Sequence, residues 1–111
     1  MKLNSLQIWL LFAFLPVFPL EALTPVPPPI VHVVLFWMEG CPHCHEVLDD
    51  VLPPIQEKYG IKLEIKLIEL VGAEEVNAFY QFAETRGISK EGVSVPFMVI
   101  GEHTLIGAQR I

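Results

Sequence analysis

Residues 30–37, IVHVVLFW, constrain this chain more than any other stretch. The run is apolar and β-branched, and His32 alone interrupts it. It lacks the alternation of a strand with one wet face. It therefore reads as a strand covered on both sides, at the centre of a parallel or mixed sheet. Such a strand needs neighbours beside it and helices above and below, which the rest of the chain must supply.

The residues downstream provide candidates in alternation. Residues 42–59 read as a helix: Pro42 is tolerated in a first turn, and Val47, Leu48, Val51, Leu52 and Ile55 recur at helical spacing. Pro53 and Pro54 fall inside this segment and are expected to kink or interrupt it, and Gly60 closes it. Ile61, Leu63, Ile65 and Leu67 alternate with Lys62, Glu64 and Lys66, the period of a strand. Residues 73–86 return to helical spacing, with Val76, Phe79, Tyr80 and Ala83 on one face and Gly87 as a C-cap. Residues 94–100 and 103–106 read as two strands joined by a tight turn at Gly101 and Glu102. The expected order is β-α-β-α-β-β, an α/β fold with a mixed sheet.

The N-terminus belongs to a different regime. In residues 1–23, Lys2 gives a positive start and residues 6–20 are apolar, with Pro16 and Pro19 towards the end. That stretch is short for a membrane span and fits a secretory signal peptide, with an uncleaved N-terminal anchor as the alternative. A cut after Ala22 would leave Leu20 where a small residue is preferred. Residues 24–29, TPVPPP, read as an extended tether, because proline fixes φ and removes amide donors. Residues 30–111 remain for the folded domain, near the lower limit for a self-sufficient core. The hydrophobic fraction of 52% is inflated by the N-terminus. The net charge is −6, and the 7 basic residues form no patch, which argues against a nucleic-acid partner.

The chain has 2 cysteines, Cys41 and Cys44, at the junction of the first strand and the first helix. A bridge between them closes so short a loop that it constrains little of the unfolded chain, so chemistry explains the pair better than an inert staple does. At a helix start, unpaired amides and the helix dipole stabilise an anion, and a thiolate on Cys41 would be that anion. The thiolate attacks disulfides, and Cys44, one turn further on, is placed to resolve the product. Pro42 pre-sets the first turn. His43 can donate a hydrogen bond or carry a positive charge beside the sulfur, which favours the reduced form and makes the disulfide the better oxidant. Two other chemistries fit the same residues. Cys41, Cys44 and His45 match the C-x-x-C-H pattern of c-type haem attachment, with Met38 or Met98 as a second axial ligand. Cys41, Cys44, His43 and His45 could instead serve a copper or zinc carrier. His32 and His103 read as ordinary strand residues, His45 as a solvated helix residue and Glu39 as a solvated loop acid.

Phe36-Trp37-x-x-x-Cys41-Pro42-His43-Cys44 at the end of a buried strand resembles the active site of the thioredoxin superfamily, and its Pro-His pair resembles the disulfide-forming DsbA group. Val95-Pro96 before Phe97-Met98-Val99-Ile100 resembles the same superfamily's second signature, a cis proline facing the cysteines. The resemblance covers residues 30–111. It implies a thioredoxin-like fold and a protein disulfide oxidoreductase that needs no cofactor. Cys41 and Cys44 would be the redox-active pair, His43 the residue that tunes it, and Val95 and Pro96 the substrate-docking residues. Trp37 would be either a wall of the peptide groove or a core side chain. The partners implied are cysteine-containing proteins on the exported, periplasmic or extracellular side, and a membrane redox partner such as a vitamin K epoxide reductase homologue. Three departures accompany it. Leu35 stands where thioredoxins have a buried acid, so proton handling falls to His43, His45, Glu39 or water. No closing helix follows the hairpin, so a C-terminally truncated domain, or one whose open face a partner covers, is expected. The long helical insertion of DsbA is absent, which excludes that full architecture.

Overall fold

A computed structural model of the chain describes residues 25–111; the signal peptide or anchor expected at residues 1–23 lies outside the described residues. Residues 25–30 are exposed and carry no regular secondary structure. Strand β1, Val31–Trp37, occupies the interior of a four-stranded sheet of order β2-β1-β3-β4. Strand β2, Leu63–Glu69, runs parallel to β1, while β3, Phe97–Ile100, runs antiparallel to it and pairs with β4, His103–Ile106. The fold is thus α/β with a mixed sheet, in the expected order of elements.

The apolar run of β1 divides its side chains between two cores. Leu35 lies opposite Leu67 and Met98, and Phe36 opposite Ile68 and Phe97. On one face Val33 and Leu35 pack with Val47, Leu52 and Met98 beneath the first helical segment. On the other, Phe36, Phe97 and Val99 pack with Phe79 and Ala83 of the second helix. Alternate residues point to opposite faces of a strand, so a run apolar at both parities can supply both layers at once.

The first helical segment is built in three parts: α1, Pro42–Glu46; a π-helical turn, Val47–Val51; and α2, Leu52–Tyr59, followed by a 3₁₀ turn over Gly60–Lys62. The expected interruption at Pro53 and Pro54 takes the form of this wide turn, in which the Leu52 amide donates to the Val47 carbonyl, five residues back. The prolines have no N–H for the carbonyls of Asp49 and Asp50, and their rings clash with a carbonyl four residues back. Opening the turn relieves the crowding, and Asp49 and Asp50 are exposed, so water can reach that side. Because of the extra residue, Val47 and Leu52 both face the sheet and both are buried.

Helix α3, Ala73–Thr85, buries Phe79 and Ala83 and half-buries Val76 and Tyr80, as its spacing predicts. It ends in a Schellman arrangement. The Ile88 amide donates to Ala83 O and the Gly87 amide to Glu84 O, with Gly87 at φ +75°.

Several boundaries differ from the sequence reading. Strand β2 starts at Leu63, and Ile61 lies in the 3₁₀ turn and is 88% exposed, because Gly60 ends the helix in a conformation that does not lead straight into a strand. Leu67 is 49% exposed even though it belongs to the alternating set, since β2 is an edge strand. Strand β3 starts at Phe97; Ser94, Val95 and Pro96 lie outside it, and Pro96 has no amide to give the ladder.

Three substitutions test this packing and its turns. Phe97 is fully buried, with ring centroids 5.9 Å from Phe36 and 5.2 Å from Phe79, so Phe97→Ala should cost about 3–5 kcal/mol in denaturant unfolding. Leu67→Ala, on the half-exposed edge, should cost less than about 1 kcal/mol in the same measurement. Gly87→Ala meets no atom within 4 Å of the added Cβ, so its cost, about 1–2 kcal/mol, should be conformational alone.

Candidate functional site

Strand β1 delivers the chain into a turn at Glu39 and Gly40, and Cys41 becomes the N-cap of α1. Its backbone is extended at φ −105° and ψ 106°, and its carbonyl accepts from the amides of Cys44 (3.1 Å) and His45 (3.2 Å). Cys41 and Cys44 are joined as a disulfide, with their Cα atoms 5.2 Å apart. The Cys44 amide also points at Cys41 Sγ, 3.1 Å away. This is the position of a side-chain acceptor at a helix start, so the sulfur faces a first-turn amide.

The two sulfurs differ in access. Cys41 is partly exposed, whereas Cys44 has no exposed surface and lies in the layer between α1 and the sheet. A reagent from solvent meets residue 41. Leu35, six residues before Cys41, is fully buried, and no polar or charged side chain is buried among the described residues. Cys44 therefore has no buried acid to take or supply its proton.

Val95 and Pro96 stand across from the pair. The Val95–Pro96 peptide is cis, and the Val95 carbonyl oxygen is 3.8 Å from Cys41 Sγ. The Gly107 amide donates to Pro96 O at 2.9 Å, which ties this loop to the end of β4. The sequence reading paired these distant segments through the resemblance, and the fold brings them together over 54 residues of chain.

The histidines divide differently from expectation. His43 has an exposed side chain whose Nδ1 lies 3.5 Å from Glu46 Oε2, at the mouth of a groove with Val95 and Pro96. His45, taken above as a solvated residue, is half-buried. Its Nε2–H donates to the Glu39 carbonyl at 2.6 Å, and its ring meets Trp37 edge-on at 6.0 Å. It braces the turn that leads into Cys41. The only sequence signal for this was its position one helical turn beyond Cys41. Trp37 is half-buried, with its ring against His45. His32 pairs with Glu64 on the exposed start of β1, at 3.3 Å.

Two cavities bear on chemistry. A groove of about 310 Å³ beside the disulfide is lined by His43, Ser94, Val95, Pro96, Ile106 and residues 107–110. A larger apolar cavity of about 460 Å³ lies towards the start of β1, between Val31, Val33, Ile55, Leu63 and Ile100. It has no cysteine or histidine in its walls. Among the described residues no three His, Cys, Asp or Glu side chains are gathered as a metal-binding group, and none of the described helices is long and apolar enough to cross a membrane. No family model matches this chain, and neither a curated protein nor a solved structure matches it.

Proposed function

We propose that this chain is a thiol–disulfide oxidoreductase of the thioredoxin type that exchanges disulfides with cysteine-containing proteins through Cys41 and Cys44. One observation carries the reading. The pair is a disulfide with one reachable sulfur, and that sulfur sits under a helix-start amide with the cis Val95–Pro96 loop facing it. The β2-β1-β3-β4 mixed sheet is compatible with a thioredoxin-like fold.

The exchange balances as follows in the oxidising direction. A substrate thiolate attacks Cys41 Sγ, the Cys41–Cys44 bond breaks, and Cys44 leaves as a thiolate that takes up a proton. A second substrate thiolate attacks the substrate sulfur of the mixed disulfide, forming the substrate disulfide and releasing Cys41 as a thiolate. Two electrons pass from the substrate dithiol to the pair. The amide at 3.1 Å stabilises the Cys41 thiolate, which makes that sulfur a good leaving group and favours the oxidising direction. His45 holds the turn, and His43 sits at the groove mouth. An oxidising compartment suits this chemistry, and the apolar residues 6–20 support export to one, where a membrane redox partner could reoxidise the pair.

The rival chemistries have less support. In a c-type haem reading both thiols must be free to bond the porphyrin, yet Cys44 is sealed in the core and the His45 Nε2 that would ligate iron is held by Glu39 O. A copper or zinc carrier would have the two sulfurs without a gathered third donor.

The same steps run in reverse when the Cys41 thiolate of the reduced protein attacks a substrate disulfide: Cys41→Ser should abolish exchange in both directions, and Cys44→Ser, given a disulfide substrate, should trap a mixed disulfide visible by mass. Normal turnover by Cys44→Ser would overturn the two-sulfur mechanism. In the reduced protein, Cys41 should alkylate with a pH midpoint below that of free cysteine, while Cys44 stays unlabelled until the protein unfolds. A Cys41 midpoint equal to that of free cysteine would remove the basis for Cys41 as the stabilised leaving thiolate. The reduction potential against glutathione should fall on the oxidising side of thioredoxin; a thioredoxin-like value would reverse the direction of exchange.

A further inference from the structure

The groove beside the disulfide has an uneven charge distribution. The chain carries 13 acidic residues against 7 basic ones, yet none of the groove's lining residues is acidic. Its ionisable walls are His43 and Arg110. Glu46 meets the His43 ring at 3.5 Å, whereas Arg110 has no ion-pair partner among the described residues. Arg110 is fixed to the groove by its backbone, since its amide donates to Gly107 O at 3.1 Å and the Gly107 amide donates to Pro96 O at 2.9 Å. The loop bearing the only open cation of the groove is thus hydrogen-bonded to the loop that faces the reacting sulfur. Ser94 adds a hydroxyl on the same wall, and Ile106 and Ala108 give the groove an apolar floor.

A peptide joined to Cys41 and extended past Val95 would advance about 3.3 Å per residue, so its neighbours within two or three positions reach along this groove. A guanidinium without a partner binds carboxylate in preference to neutral or basic groups, with bidentate geometry available. Resting on the oxidoreductase reading, we infer that the substrates are polypeptides with an aspartate or glutamate within two or three residues of the reacting cysteine, and that Arg110 is the residue that selects them. His43 lines the same groove with its ring on Glu46 at 3.5 Å, which leaves Arg110 as the cation open to make that selection.

The test uses oxidised full-length protein and short synthetic dithiol peptides that differ only in the flanking residue, aspartate or asparagine. Single-turnover reduction of the Cys41–Cys44 bond is quenched with acid, and the protein is alkylated and weighed. The readout is the ratio of the aspartate to the asparagine rate. That ratio should be about two- to five-fold at low ionic strength, the size of an exposed ion pair, and should shrink with added salt. Arg110→Glu should invert the ratio. Lys58→Glu makes the same change in net charge on α2, away from the groove, and should leave the ratio as it is. A ratio of one in the unsubstituted protein, or equal ratios in the Arg110→Glu and unsubstituted proteins, overturns the inference while leaving oxidoreduction intact. Failure of both peptides to open the disulfide counts against the oxidoreductase reading itself. Free glutathione, which also bears carboxylates, is the parallel arm. If it shows the same loss on Arg110→Glu as the aspartate peptide, the groove selects small carboxylate thiols and the polypeptide assignment is wrong.

Discussion

The structure depends on β1 being covered from both sides. Leu35 and Phe36 are adjacent in sequence and point into separate cores, one beneath the broken helical segment and one beneath α3. Each layer alone would give a sheet with one wet face, and a run such as IVHVVLFW would then expose half of its apolar side chains. With both layers present, the strand is clamped by β2 on one edge and β3 on the other. What emerges from its C-terminal end is therefore held firmly, and Cys41 lies four residues beyond that end.

The chemistry is assembled from parts with different origins. The helix start places the amide against Cys41 Sγ, the core seals Cys44, and the hairpin presents Val95 and Pro96 from a distant part of the chain. Each part is ordinary on its own. Their convergence on one sulfur rests on β3 lying antiparallel beside β1, which brings the start of β3 to the end of β1: Phe36 stands opposite Phe97, the residue after Pro96. A slip of that register by one residue would turn the side chains of β3 to the opposite faces and dislodge the loop from the disulfide.

Much of this was legible in the sequence, for identifiable reasons. The central strand showed in unbroken β-branched hydrophobicity, and α3 showed in the spacing of Val76, Phe79, Tyr80 and Ala83. The Gly87 cap was legible because an L side chain rarely adopts φ +75°. The π turn was not, because two prolines announce an interruption without saying whether the chain breaks, bends or widens. Ile61 misled because alternation continued past Gly60 into a 3₁₀ turn. At the site, the cysteines and Val95-Pro96 came from local motifs. The closeness of Arg110 to the groove depends on tertiary placement, which no local pattern encodes, and the link from His45 to Glu39 had only the histidine's place one turn beyond Cys41 to announce it. The structure also sets His43 against Glu46, a partner that its position between the cysteines did not suggest.

The complete burial of Cys44 has a consequence for timing. While a substrate is held on Cys41 as a mixed disulfide, the inner sulfur can attack Cys41 from a tethered position, re-forming the internal bond and expelling the substrate thiolate, and its effective concentration is fixed by the fold and does not change on dilution. A captured chain is thus kept or let go on a clock internal to the protein. Dissolved thiols can shorten that interval from outside, but the sealed wall around residue 44 keeps them from consuming the sulfur that runs it.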